Sequence, residues 1–253
     1  MNSELFSELR RLRNEMGHGI RPVDPTAVAE RLNSLGISIP SDQLPELIPT
    51  ILQTFGPHAG HLHIPHILFD AIPKLLAGRS AKTVCDPWAG VGTMLAIAQR
   101  AVSASRCIAF NMNASEGTLG KVLFSQAEWA LGQPLKLLEK LVERIDIVVS
   151  SLPFGVKSRE TLTLSDATGH HIELKDDLGN LILTAATSRL AENGVGLFIV
   201  PPSFFFSERS VLRRFAELRF NVDAALALPP GSFSPYTAIT TYLLVVTRSA
   251  PKP

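Results

Sequence analysis

Apolar residues between Ser3 and about Met16 recur at helical spacing, with Leu5, Phe6, Leu9 and Leu12 set against Arg10, Arg11 and Arg13. This predicts an amphipathic helix with a basic face. The Gly/Pro/His stretch from Gly17 to Asp24 breaks it, and Pro25 opens a second helix that carries Val28, Leu32 and Leu35 and ends at Gly36. A third helix is expected over Gln43–Phe55, capped by Ser41 or Asp42, ahead of the turn-rich run Gly56–His63. Beyond it the pattern changes to short apolar runs separated by helical segments, the signature of a parallel sheet with crossover helices. Strands are expected near Thr83–Cys85, Arg106–Phe110, Asp146–Ser150, Val195–Val200, Asp223–Leu228 and Thr241–Thr247. Helices are expected at about Pro65–Leu76, Gly92–Val102, Glu116–Leu131, Leu178–Ala191 and Glu208–Leu218. The alternation asks for a further strand between Leu131 and Arg144, where Leu135–Val142 instead reads as helix. The chain therefore divides into a helical N-terminal segment, 1–60, and an α/β domain, 61–253.

Composition narrows the class. Hydrophobic residues make up 45% of the 253 and charged residues 19%, which suits an ordered globular protein rather than a disordered one. A net charge of +1 lacks the basic excess of a protein held on nucleic acid by charge alone, so any such contact has to be local. No apolar run reaches the roughly 18 residues of a membrane span. The two cysteines, Cys85 and Cys107, fall in strand-like runs, and Met1 opens no signal-peptide pattern, so a reducing, cytoplasmic setting is expected.

Ligand clefts in such sheets lie at the C-terminal ends of the strands, which directs attention to Asp86, Asn111, Ser151 and Pro201. The run from Thr83 through Asp86-Pro87-Trp88-Ala89-Gly90-Val91-Gly92-Thr93 reads as strand, tight loop and helix start, with Gly90 and Gly92 allowing close backbone approach to a ligand. A dinucleotide site fits less well: Leu95 stands where the third glycine belongs, and no carboxylate follows at the usual distance.

The longer pattern Asp-Pro-x-x-Gly-x-Gly-x-x-Leu, Asp86 to Leu95, resembles the first motif of amino-group DNA methyltransferases, above all the modification (M) subunits of type I restriction-modification systems. Gly60-His61-Leu62-His63-Ile64-Pro65 is similar to that family's Gly-x-x-x-Thr-Pro segment, with Ile64 in place of Thr. Ser151-Leu152-Pro153-Phe154-Gly155 resembles its (Asn/Asp/Ser)-Pro-Pro-Phe-Gly, with Leu152 in place of the first proline. Val195 to Arg248 follows its C-terminal pattern, and the likeness spans roughly residues 57 to 248.

The resemblance implies a Rossmann-like, S-adenosylmethionine-dependent methyltransferase acting on the exocyclic amino group of adenine in DNA, with RNA or protein still open as acceptors. The alternative is a degenerate, non-catalytic relative that binds cofactor or nucleic acid as a scaffold. On the family pattern the cofactor residues are Ile64, Pro65, Asp86, Pro87, Ala89, Gly90, Gly92 and Thr93, with Asn111 at the acid position that binds ribose. Ser151, the Leu152 carbonyl, Pro153 and Phe154 would handle a flipped base: two acceptors for the amino group and an aromatic to stack on it. Gln133 falls where a further acid is usual. Sequence specificity would come from a partner, such as a specificity subunit or a second copy.

Two other groupings stand out in the sequence. His58, His61, His63 and His66 are crowded as zinc ligands are, yet no Cys or acid lies nearby, and no metal is assigned. The polar stretch Gly155–Leu178 reads as a substrate loop, with Lys157 and Arg159 as candidates for DNA phosphate contacts or for simple solvation.

Overall fold

The computed structural model describes residues 24–36, 39, 43–52, 60–166, 169–206, 211–234 and 236–248, with residues 7, 11, 14 and 15 before them. Most of the expected basic N-terminal helix, together with His58 and Arg209, lies outside the described residues.

Helix α1 (Pro25–Ser34) starts where Asp24 accepts the Thr26 N–H at 2.9 Å and Pro25 fills the first turn. It is followed by α2 (Leu44–Leu52) and α3 (Ile67–Leu76). The alternating part then runs β1 (Thr83–Asp86), α4 (Thr93–Val102), β2 (Arg106–Asn111), α5 (Ala114–Leu123), β3 (Glu128–Leu131), α6 (Pro134–Lys140) and β4 (Ile145–Ser151). The chain continues through β5 (Leu162–Ser165), β6 (His171–Leu174), α7 (Leu178–Ser188), β7 (Leu190–Val200) and the short α8 (Ser203–Phe206). A 3₁₀ turn at Val211–Arg214 leads to β8 (Asn221–Ala227) and β9 (Tyr242–Thr247).

A seven-stranded sheet in the order β3-β2-β1-β4-β7-β9-β8 carries the fold. Strands β3, β2, β1, β4 and β7 are parallel, while β9 lies antiparallel between β7 and β8. Both faces are covered. On one, Val84, Ala109, Val149, Leu197 and Leu243 pack beneath α2, α3 and α4. On the other, Cys85, Phe110, Val148, Phe198 and Leu244 pack against α6 and α7. Burial on both faces explains the apolar centres of β1 and β4, Val84–Cys85 and Ile147–Val149. Val28 and Leu32 of α1 and Ile48 and Ile51 of α2 belong to the same core as the sheet. Cys85 and Cys107 are free, buried and on opposite faces. Among the described residues no helix is long and apolar enough to cross a membrane.

The structure corrects three expectations. The helix read over Glu116–Leu131 ends at Leu123, and Glu128–Leu131 forms β3, the strand that the alternation had asked for later in the chain. Trp129 anchors it: its ring packs so closely over Gly120 that a Cβ there would lie 2.1 Å from the indole. The Gly155–Leu178 stretch is not an open loop. β5 and β6 pair as an antiparallel hairpin, and Ile172 and Leu174 are buried in the α7 face. The helix expected at Glu208–Leu218 is, where described, a 3₁₀ turn followed by further turns.

Candidate functional site

The order of the sheet reverses between β1 and β4, and that is where a crevice opens at the strand C-termini. Asp86 ends β1, and Ser150 and Ser151 end β4. Asp86 is 1% exposed and accepts the Ser150 hydroxyl at 2.7 Å and the Trp88 N–H at 3.0 Å. Burial pushes its carboxyl up to about 7, against these two hydrogen bonds, which favour the ionised form.

The loop after β1 turns on glycines with different tasks. Gly90 (φ 53°) and Gly92 (φ 92°) both hold left-handed backbone. Gly90 faces the crevice, where a Cβ would lie 2.9 Å from the end of the Leu62 side chain. Gly92 faces inward, onto the Trp129 ring. Helix α4 follows at once with no side-chain cap, so its first N–H groups point towards the crevice end of the sheet. Thr93, in its first turn, keeps a buried hydroxyl that makes no hydrogen bond among the described residues.

Ile64, Asp86, Ala89, Gly90, Thr93 and Ser151 line one pocket, together with His61, Leu62, Trp88, Val91, Met94 and Glu116. It encloses about 330 Å³ when its open mouth is counted, but its interior is narrow. Two contacts constrict it: Leu62 over Gly90, and His61 Nε2 against Glu116 Oε1 at 2.8 Å.

Asn111 supports the loop from behind. Its Nδ2 donates to the Gly90 carbonyl at 2.7 Å and its Oδ1 accepts the Asn113 N–H at 2.7 Å. An aspartate here would set a carboxylate oxygen against the Gly90 carbonyl, so the amide is the side chain this loop requires. Gln133 caps α6, accepting the Lys136 N–H at 2.7 Å.

The segment after β4 divides its side chains. Leu152 is buried in the α7 face, which accounts for an aliphatic residue in place of proline. Phe154 turns the other way and meets Phe233 edge-on at 6.2 Å. Phe233 in turn touches His63 at 5.9 Å, and His63 lies against Tyr236 at 5.2 Å. Burial pushes the His63 imidazole below its ordinary value, opposed by its bond to the Ser232 carbonyl. These rings form an aromatic wall that begins at Phe154, in the segment that follows β4. Gly60 lets Tyr236 close up, since a Cβ would lie 2.7 Å from that side chain.

The three described members of the histidine grouping do not converge: His61 pairs with Glu116, His63 joins the aromatic wall, and His66 stacks on Phe69 at 5.3 Å. No metal-holding group of His, Cys, Asp or Glu occurs among the described residues. Lys157 pairs with Asp177 at 2.9 Å, closing the base of the hairpin. Phe204 is fully buried against Phe205 and Phe215, away from the crevice.

Sequence reasoning gave no site role to Ser150, Glu116 or Gly179, and it named His61 only in the Gly60–Pro65 segment and among the crowded histidines. A Cβ on Gly179, at the start of α7, would lie 2.5 Å from the Pro153 carbonyl oxygen, so this glycine sets the position of the Ser151–Phe154 segment.

No family model matches the chain. It is 25% identical over 118 residues to the Type I restriction enzyme EcoEI methylase subunit of Escherichia coli, an alignment covering 46% of this chain and 24% of that protein. The chain thus spans about a quarter of the length of the curated relative it matches. Its fold matches a protein of Listeria monocytogenes assigned as a class I S-adenosylmethionine-dependent methyltransferase, with a TM-score of 0.72, 13% identity and coverage of 99% and 90% of the two chains. It also matches a modification subunit assigned to a type I restriction enzyme of Vibrio vulnificus YJ016, with a TM-score of 0.63, 19% identity and coverage of 85% and 52%. The chain has the Rossmann-like fold of class I S-adenosylmethionine-dependent methyltransferases and resembles type I modification subunits.

Proposed function

We propose that this chain binds S-adenosylmethionine over Asp86–Thr93 and directs its methyl group to the exocyclic amino group of adenine in DNA. The observation that carries the reading is the pairing, in one pocket, of a buried acid at the end of β1 with an unpartnered buried hydroxyl, Thr93 Oγ1, beside a left-handed Gly90. Thr93 Oγ1 has no partner among the described residues, and Asp86 takes both of its hydrogen bonds on one carboxylate oxygen, Oδ1, which suits the pair to a charged amino-acid moiety. The cofactor supplies, when bound, an electrophilic methyl group.

The chain's own residues bind and orient. Asp86 faces the ammonium group, Thr93 and the start of α4 face the carboxylate, and Ile64 and Pro65 close the pocket from the side. Pro87, Ala89 and Gly92 shape the loop, and Asn111 braces it. Ser151 Oγ and the Leu152 carbonyl accept from the amino group, and Phe154 stacks on the base with the aromatic wall behind it. Pro153 holds the turn between them. Sequence selection falls to a partner subunit or a second copy; the exposed Arg159 is the candidate for a DNA phosphate contact, with Lys157 joining it only if it leaves Asp177. Within the N-terminal segment, 1–60, helices α1 and α2 buttress the α/β domain, 61–253.

The constriction of the pocket by Leu62 and by the His61–Glu116 pair favours a second reading, a scaffold that keeps the fold without transfer. Calorimetric titration with S-adenosylmethionine tests the cofactor site. Binding in the micromolar range, lost in Gly90→Leu, is expected, and a folded parent that gives no heat contradicts it.

A further inference from the structure

We infer that Glu116, and not Asn111, is the residue that receives the ribose hydroxyls of the bound nucleoside, an assignment that rests on the cofactor site proposed above. Asn111 occupies the strand-end position, but both atoms of its amide are spent on backbone: Nδ2 on the Gly90 carbonyl and Oδ1 on the Asn113 N–H, each at 2.7 Å. Releasing either would free a loop whose left-handed Gly90 needs that support.

Glu116 lies one turn further on and lines the same pocket as Asp86 and Gly90. Its side chain is 10% exposed. It stands in the first turn of α5. Asn113 Nδ2 donates to Oε1 at 2.9 Å and fixes the carboxylate's direction, and Oε2 accepts no bond from a described residue. The other partner of Oε1 is His61, at 2.8 Å, on a side chain that is 59% exposed. A half-exposed contact of this kind contributes little stability, so ribose hydroxyls can take its place at small cost. The carboxylate thus has two features that suit a diol: an orientation fixed by Asn113 and a place in the pocket lining, with Oε2 bonded to no described residue.

The rival reading makes Glu116 a capping residue only, since the Asn113 side chain also accepts the Glu116 N–H at 3.3 Å. Ribose chemistry separates the two. The probes are S-adenosylhomocysteine and its 2′,3′-dideoxy analogue, titrated against the parent chain and against Glu116→Gln. The parent should bind the dideoxy analogue about 10- to 100-fold more weakly, as expected for hydrogen bonds to a charged group. Glu116→Gln should lose a similar factor for S-adenosylhomocysteine and distinguish the two ligands less than threefold or so. A parent indifferent to the hydroxyls overturns the assignment without recourse to any variant. So does a Glu116→Gln protein that still discriminates fully. A parent that binds neither ligand overturns this assignment and the cofactor site together, whereas binding that is insensitive to Glu116 overturns this assignment alone.

Discussion

Asp86→Asn should weaken S-adenosylmethionine binding by about 100-fold and, above pH 7, give a protein more resistant to heat than its parent. The two effects have one cause. In the folded chain the Asp86 carboxyl is held at about 7, well above its ordinary 3.8, because burial penalises the charge more than Ser150 and the Trp88 N–H favour it. The folded state therefore holds this proton more tightly than the unfolded state. The associated stability is fully present below about pH 4 and is lost as the pH climbs through about 7. The gap corresponds to roughly 4 kcal/mol as an upper bound. Asparagine keeps an oxygen for Ser150 and Trp88 but cannot ionise, so the variant should lose this pH dependence. Thermal melts at pH 5 and pH 8 would show it as a smaller difference between the two conditions than in the parent. A cationic ammonium beside Asp86 favours the carboxylate, so binding to the parent should tighten as the pH rises through 7 and should release a proton below it. Equal pH dependence in the parent and the variant would count against this account of Asp86.

Gly179→Ala should leave cofactor binding nearly intact while reducing methyl transfer by about 100-fold. The new Cβ would come within 2.5 Å of the Pro153 carbonyl oxygen, and that atom belongs to backbone, so no side-chain rotation relieves the clash. The Ser151–Phe154 segment must move away from α7, or α7 must shift and open the face that buries Leu152. Either adjustment costs about 1–3 kcal/mol. Asp86 and Thr93 stand on β1 and α4 and are not displaced, so substrate alignment, rather than affinity for the cofactor, carries the loss. A Gly179→Ala protein with the parent's urea midpoint and transfer rate would show that the close approach has no such role.

Much of this architecture is legible in the sequence, for an identifiable reason. The buried centres of the parallel strands, such as Ile147–Val149 of β4 and Val195–Val200 of β7, are short apolar runs, and helices between them keep a helical period, so the alternation can be read directly. Strand β3 is harder. It is a four-residue strand at the sheet's edge, its residues half-buried or exposed, and Glu128, Ala130 and Leu131 suit a helix as well. The β5–β6 hairpin did carry a period-two signal, with Leu162 and Leu164 against Ile172 and Leu174, but the polar residues between them masked it.

The same contrast governs the site. The loop from Asp86 to Thr93 is contiguous, and its chemistry is written in a short string. Glu116 and His61 are 55 positions apart, and Asp86 and Ser150 are 64 apart, so only the folded chain brings them together. Gly179 reads in sequence as a weak point in a helix. Its reason, a carbonyl pressed against the α7 backbone, is visible only in three dimensions.

The most direct test is to incubate the chain with methyl-labelled S-adenosylmethionine and adenine-containing DNA, single- and double-stranded, and to follow label on the adenine amino group. Time-dependent incorporation that falls sharply in Phe154→Ala is the predicted result. A chain that binds the cofactor yet labels neither form of DNA would contradict the methyltransferase reading and leave the scaffold in its place.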